Sequence, residues 1–222
     1  MAELSVAEAA RRLGVSAQRT REMVRRDELR GRRIGSRAWL VDTASVRDRV
    51  QVDAGRGRPW AVHTIDAIVT ALSDGEQVDA KSAARLRETD IERLWRKIAQ
   101  RVTIRRYAAR NTALVREHLA LTGESALDQI GEHLVGQSRV LHGYLRGIDL
   151  EDLIEDAGLV EDGEGNIAIH ELSGADAAGQ DAVFARRALI AVDCARSSAT
   201  RVRAAGIRAL TEMKQSWLAK NT

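Results

Sequence analysis

The stretch SVAEAARRLGVSAQRTREMV, which begins at Ser5, leaves its part of the chain little conformational choice. Ser5 and Glu8 stand at the Ser-x-x-Glu spacing of a capping box, so a helix is expected from Val6. Val6, Ala9, Ala10 and Leu13 then repeat at i, i+3, i+4 and i+7, the spacing of one buried helical face. Gly14 ends that helix and Ser16 caps a second one. In the second, Thr20, Met23 and Val24, with the following Leu29, point inward, whereas Ala17, Gln18, Arg19, Arg21, Glu22 and Arg25 point outward. Two short helices held at a fixed angle by a tight turn form a helix-turn-helix unit. The run RIGSRAWLV, from Arg33 to Val41, reads as two short strands around Gly35-Ser36, and Asp42 or Thr43 can cap a third helix carrying Val46 and Val50. Residues 1–54 are therefore expected to be a small winged helix-turn-helix domain.

The segment DAGRGRP, residues 53–59, holds two glycines and the only proline, the composition of a linker. Residues 55–222 are expected to form a second, mostly helical body, so the fold class is mainly α with small β elements (α+β). Helical periodicity predicts helices over 61–72, 80–100, 112–121, 125–135, 150–157 and 198–220. Residues 102–104 read as a short strand, and 159–160 and 167–169 as a hairpin around EDGEGN. The apolar run 188–192 fits either a buried strand or a helix.

Charge is unevenly distributed. Residues 1–58 contain 14 Arg, no Lys and 8 acidic residues, a local charge of +6, and since the chain totals +3 the rest carries −3. No Lys or Arg lies between Arg146 and Arg186, a gap that contains Asp149, Glu151, Asp152, Glu155, Asp156, Glu161, Asp162, Glu164, Glu171, Asp176 and Asp181. Cys194 is the only cysteine, which excludes an intrachain disulfide and a cysteine-based zinc site. No apolar run approaches the roughly 18 residues that a membrane span needs, and residues 2–10 lack the apolar core of a signal peptide. A cytoplasmic location is expected.

No motif supports catalysis, so a non-enzymatic protein without cofactor is expected. The five histidines, at 63, 118, 133, 142 and 170, never take metal-ligand spacing. EDGEGN lacks the ligand order of a calcium loop and reads as a turn. There is no Gly-x-Ser-x-Gly and no glycine-rich phosphate loop after a strand. Asp149 with Asp152, and Glu155 with Asp156, have no basic neighbour in sequence and read as a solvated acidic face. Trp60, Trp95 and Trp217 keep helical spacing with other apolar residues and read as core. Arg105, Arg106 and Arg110 around Tyr107 form a candidate second nucleic-acid contact, with Tyr107 able to stack on a base.

The segment LSVAEAARRLGVSAQRTREMVRRDELRGRRIGSRAWLV, residues 4–41, resembles the excisionase-type helix-turn-helix family, related to the winged domains of mercury-resistance-type regulators. The resemblance rests on Ala9, Ala10, Leu13 and Val15, the capping Ser16, the strand signal Arg33-Ile34-Gly35 and the return strand around Trp39. It departs at Glu28, where a glycine is common, and at Arg30, where a proline is common. The family implies DNA binding through the second helix and the wing. Carried onto this chain, that places Ser16, Gln18, Arg19, Arg21, Arg25, Arg33 and Arg37 against double-stranded operator DNA. The segments GRGRPWAVHTIDAIVTALSDGE, LWRKIAQRVTIRRY and GYLRGIDLEDLIEDAGLVEDGEGNIAIHEL resemble the bodies of actinobacterial antitoxins paired with abortive-infection-type nucleotidyltransferase toxins. That resemblance implies an autorepressor that neutralises a cognate toxin. Asp149, Glu151, Asp152, Glu155 and Asp156 are the candidate contacts to such a basic partner. A palindromic operator implies a homodimer, for which the C-terminal helix from Ser198 is the candidate interface. The rival expectations are an excisionase-like recombination accessory factor and a ligand-responsive transcriptional regulator.

Overall fold

The computed structural model describes residues 3–26, 28–35, 38–53, 60–132, 139–172 and 183–221. Its first elements are a short strand β1 (Glu3–Ser5), which the hydrophobic pattern does not announce, and helix α1 (Val6–Leu13). Ser5 Oγ accepts the Glu8 amide at 3.2 Å, one half of the capping box. The other half is not made, because the Glu8 carboxylate turns to Arg11 and Arg12. Gly14 adopts φ 67°, where a side chain is disfavoured, and its amide bonds back to Ala10 and Arg11. Helix α2 (Ala17–Arg25) starts at Ser16, whose Oγ accepts the Arg19 amide at 3.1 Å. Strands β2 (Gly31–Ile34) and β3 (Ala38–Asp42) complete an antiparallel sheet of order β1-β3-β2, and helix α3 (Thr43–Asp53) follows. Val6, Ala9, Met23, Val24, Leu29, Val41 and Val46 form the core of this head.

The two departures noted in the sequence both carry ion pairs. Glu28 lies 3.5 Å from Arg19 on α2 and 3.4 Å from Arg49 on α3, so one carboxylate ties the second helix to the third. Arg30 lies 2.8 Å from Asp42, at the end of β3. Helix α3 is two-sided. Val46 belongs to the head's core, but Val52 is buried in the core of the body. Val50, between them, is 42% exposed.

In the body, helices α4 (Val62–Asp74), α5 (Ala80–Glu88) and α6 (Ile91–Ala99) come first. The single helix expected over 80–100 is broken at Thr89, which is extended, and Asp90 recaps it by accepting the Arg93 amide at 2.8 Å. Next come β4 (Val102–Ala108), α7 (Thr112–Glu117) and β5 (Leu119–Leu121), so the helix expected to reach Leu121 ends at Glu117 and gives way to a strand. A 3₁₀ segment, Gly123–Ile130, stands where an α-helix over 125–135 was expected; residues 133–138 lie outside those described. Strand β6 (Leu141–Leu145), helix α8 (Leu150–Ala157), strands β7 (Val160–Glu161) and β8 (Ile167–Leu172), and helices α9 (Arg187–Arg196) and α10 (Thr200–Lys220) complete the body.

The body's sheet has the order β5-β6-β8-β4-β7, with only β6 and β8 parallel. Strands β7 and β8 are not the expected hairpin, because they pair with opposite edges of β4. The EDGEGN turn crosses the end of β4 so closely that a side chain at Gly165 would meet the Tyr107 carbonyl at 2.2 Å. Asn166 fastens the crossing, donating to Ala109 O at 2.9 Å and accepting the Ala109 amide at 2.8 Å.

Helix α9 is the axis of the body. All residues from Ala188 to Ala195 are buried, which resolves the ambiguous run as a helix covered on every side. Trp95 and Trp217 are buried in the surrounding core and Trp60 packs at its edge, as expected. Helix α10 lies directly on α9, at a spacing set by Gly206. A Cβ there would sit 2.4 Å from Ala191 O and from Ala195 N. In an open helix Gly→Ala gains up to about 1 kcal/mol. Here the clash reverses the sign, and Gly206→Ala is expected to lower stability by about 1–3 kcal/mol in denaturant titrations.

Candidate functional site

The head presents one exposed polar stripe. Gln18, Arg21 and Arg25 recur along α2 at i, i+3 and i+7, opposite the buried Thr20, Met23 and Val24, and all three are exposed. Ser16 is exposed at the start of the helix, where its hydroxyl serves as the cap. Gln18 reaches back to Glu22 at 3.4 Å. Arg21 and Arg25 make no ion pair among the described residues, so both guanidinium groups are available for base edges or phosphates. Arg19 differs from its neighbours. It is half-buried and held between Glu22, at 3.7 Å, and Glu28, at 3.5 Å, which makes it a brace between α2 and α3 as well as a member of the basic face.

The wing, strands β2 and β3, follows α2 in the chain. Arg33 is exposed on β2 with its guanidinium 5.8 Å from the Trp39 ring centroid, a cation–π arrangement that orients it. Arg32 grips Glu3 through two bonds of 2.7 and 2.9 Å, which couples the outer strands of the sheet across β3. Arg37 and the Gly35-Ser36 turn's second residue fall outside the described residues.

The acidic residues of the body cluster on α8. Leu153 is its one buried side chain, while Asp149, Glu151, Asp152, Glu155 and Asp156 are all exposed, and Gly158 closes the helix in the left-handed conformation. Asp176 and Asp181 lie outside the described residues. The second basic cluster does not assemble as expected. Tyr107 is buried, its hydroxyl raised in pKa by that burial, and it cannot stack on a base.

A constellation that the sequence does not flag lies where β6 and β8 meet α9. The Asp193 carboxylate accepts hydrogen bonds from Thr122 Oγ1 at 2.7 Å and Tyr144 Oη at 3.0 Å, and its other oxygen lies 3.2 Å from His170 Nδ1 without hydrogen-bond alignment. His170 Nε2 is 3.1 Å from His142 Nδ1. Burial drives the Asp193 pKa up, but His170, Thr122 and Arg196 outweigh it and hold the carboxyl below its ordinary value. Burial and the adjacent His170 ring push His142 down to about 3. This polar chain ends at a cavity of about 220 Å³ between the head and the sheet. The histidines are 28 residues apart in sequence and Asp193 is on a third element, so no spacing rule connects them. Among the described residues no cluster of three or more His, Cys, Asp or Glu could hold a metal, and no helix is long and apolar enough to cross a membrane.

A family model described as a helix-turn-helix domain matches residues 3–51, from β1 to within the last turn of α3. It supports the excisionase-like helix-turn-helix reading of this segment and, with it, DNA binding by the head. No curated protein and no solved structure matches the chain.

The buried His142 has a consequence for acid stability. Its pKa in the folded chain lies below its ordinary 6.5, so between pH 6.5 and about 3 the unfolded chain binds a proton that the folded chain refuses. Stability is expected to be full above pH 6.5 and to fall as pH drops through that window, with Asp193 adding to the loss only at its lower end. Urea midpoints measured from pH 7.5 to 4 should show this slope, and His142→Gln should flatten it.

Proposed function

We propose that this chain is a sequence-specific DNA-binding transcriptional autorepressor and that its body neutralises a cognate nucleotidyltransferase-type toxin. The observation that carries the DNA half is the Gln18, Arg21 and Arg25 stripe, exposed on the second helix of a capped helix-turn-helix with a three-stranded wing beside it. In this geometry α2 enters the major groove, α1 packs behind it, and Arg33 follows the backbone or the minor groove. The antitoxin half rests on α8, whose exposed carboxylates Glu151, Asp152, Glu155 and Asp156 suit a basic enzyme surface that binds RNA or tRNA. Two copies on a palindromic operator complete the proposal. The apolar face of α10, with Val202, Leu210 and Trp217, is already buried within the chain, so the copies would pair through another surface.

A ligand-responsive regulator is the second reading, favoured by one observation: the cavity against His142 is walled on one side by the DNA-binding head.

For the DNA half, Arg21→Ala and Arg25→Ala should each weaken binding to the operator upstream of the chain's own gene by about 1–3 kcal/mol at fixed salt, with far smaller losses on random DNA if the contact is to a base. Unchanged affinity in both variants would remove α2 as the reading helix. For the antitoxin half, the chain co-expressed with a toxic neighbouring nucleotidyltransferase should restore growth. Lysine at 151, 152, 155 and 156 together should abolish that rescue and leave operator binding intact. Rescue by this variant would separate α8 from toxin recognition.

A further inference from the structure

The cavity of about 220 Å³ lies on a seam of the molecule: Arg47 and Asp48 of α3 wall it on the head side, and Arg106, Glu124, His142 and Arg196 wall it on the body side. It is smaller than the roughly 300–1,000 Å³ of pockets for drug-sized ligands, so it fits a small metabolite. Three features define what it recognises.

The first is an imidazole whose hydrogen-bonding sense is biased by its neighbours. The Asp193 carboxylate 3.2 Å from His170 Nδ1 favours the ring proton there. His170 Nε2 is then an acceptor and takes the proton of His142 Nδ1, at 3.1 Å. The nitrogen of His142 left to the cavity is Nε2, which carries a lone pair, so the cavity demands a donor from whatever binds. The second feature is the pair of guanidinium groups in the wall: Arg106 donates to Gly165 O at 2.7 Å and Arg196 to Val102 O at 3.1 Å, which holds both side chains in place beside the cavity. The third is charge balance. Arg47, Arg106 and Arg196 face Asp48, Glu124 and Glu164, which disfavours a simple anion and a simple cation alike.

We propose that this cavity binds a free α-amino acid as its zwitterion, the ammonium donating to His142 Nε2 and Glu124 and the carboxylate received by Arg106 and Arg196. Because α3 supplies part of the wall, the bound amino acid acts as an effector of the head. This second half rests on the DNA-binding reading above; the first does not.

The test is calorimetry on the full chain with each common amino acid at millimolar concentration, followed, for any that binds, by its decarboxylated amine and its deaminated acid. Saturable binding of at least one amino acid is expected, with both analogues weaker by roughly tenfold or more, since each leaves one set of buried polar groups unmatched. His142→Phe and Glu124→Gln should each weaken binding by a similar factor while circular dichroism and the melting temperature stay as in the parent. If His142→Phe does not fold, Glu124→Gln carries the test alone. Three results would each overturn the site: no amino acid binds, the deaminated acid binds equally well, or the folded variants retain full affinity. The effector half predicts that a saturating amino acid shifts operator affinity by about fivefold or more, and an unchanged operator titration with the amino acid bound would overturn that half. Calorimetry needs no DNA, so a failure of the site and a failure of the DNA-binding reading are told apart.

Discussion

A carboxylate buried in the middle of a helical axis is the interaction on which the body depends. Asp193 sits on α9 among residues that are otherwise apolar and inaccessible. An ionised carboxyl in such surroundings is tolerated only when its oxygens are matched. Its surroundings come from three places: Thr122, before the 3₁₀ segment, and Tyr144, on β6, donate to one oxygen, and the His170 ring, on β8, lies 3.2 Å from the other. Close packing already resists displacement of the sheet over α9, and the carboxylate adds directional hydrogen bonds to it. That carboxylate is also why Tyr144 has a pKa far above the ordinary phenol value, through burial and the neighbouring charge.

The head is joined to this body by more than the linker. Val52 leaves the head's own core and is buried with residues of the body, and a side chain at Gly163 would lie 3.3 Å from the carboxylate of Asp42, which itself faces Arg30. Glu28 and Arg30, the two positions where the chain departs from its resemblance, supply charges to this region. Glu28 braces α2 against α3, and α3 is the element shared between the two cores. Helix α2 is therefore connected to the body by a short series of direct contacts.

Local chemistry made much of this legible. The caps at Ser5 and Ser16, the turn at Gly14 and the i, i+3, i+4 spacing of the head are decided within a few residues, and the structure places them as read. The failures have physical causes. Asp90 offered its side chain to the Arg93 amide and split a helix whose apolar spacing ran through the break. Leu119 to Leu121 continue the helical pattern of α7, but pairing with β6 overrode it. The two strands around EDGEGN have hairpin composition, yet β4 comes between them, and only its long-range pairing could reveal that. Val50 and Val52 differ because α3 packs on two sides, which a search for one apolar face cannot see. The polar chain from Asp193 to His142 was invisible for the same reason: it is assembled across the sheet, not along the sequence.

The position of Val52 also bears on how such chains exchange parts. The glycine-rich stretch that follows it looks like the natural seam for recombining one DNA-binding head with another body, yet a crossover there carries away a side chain that fills the recipient's interior. A newly acquired head would have to bring a residue of matching shape at this position, or leave a void beneath the third helix. The seam that preserves both interiors lies inside α3, between Val46 and Val52. A head exchanged at that seam would bring the first part of α3 with it and leave the last turn to the body.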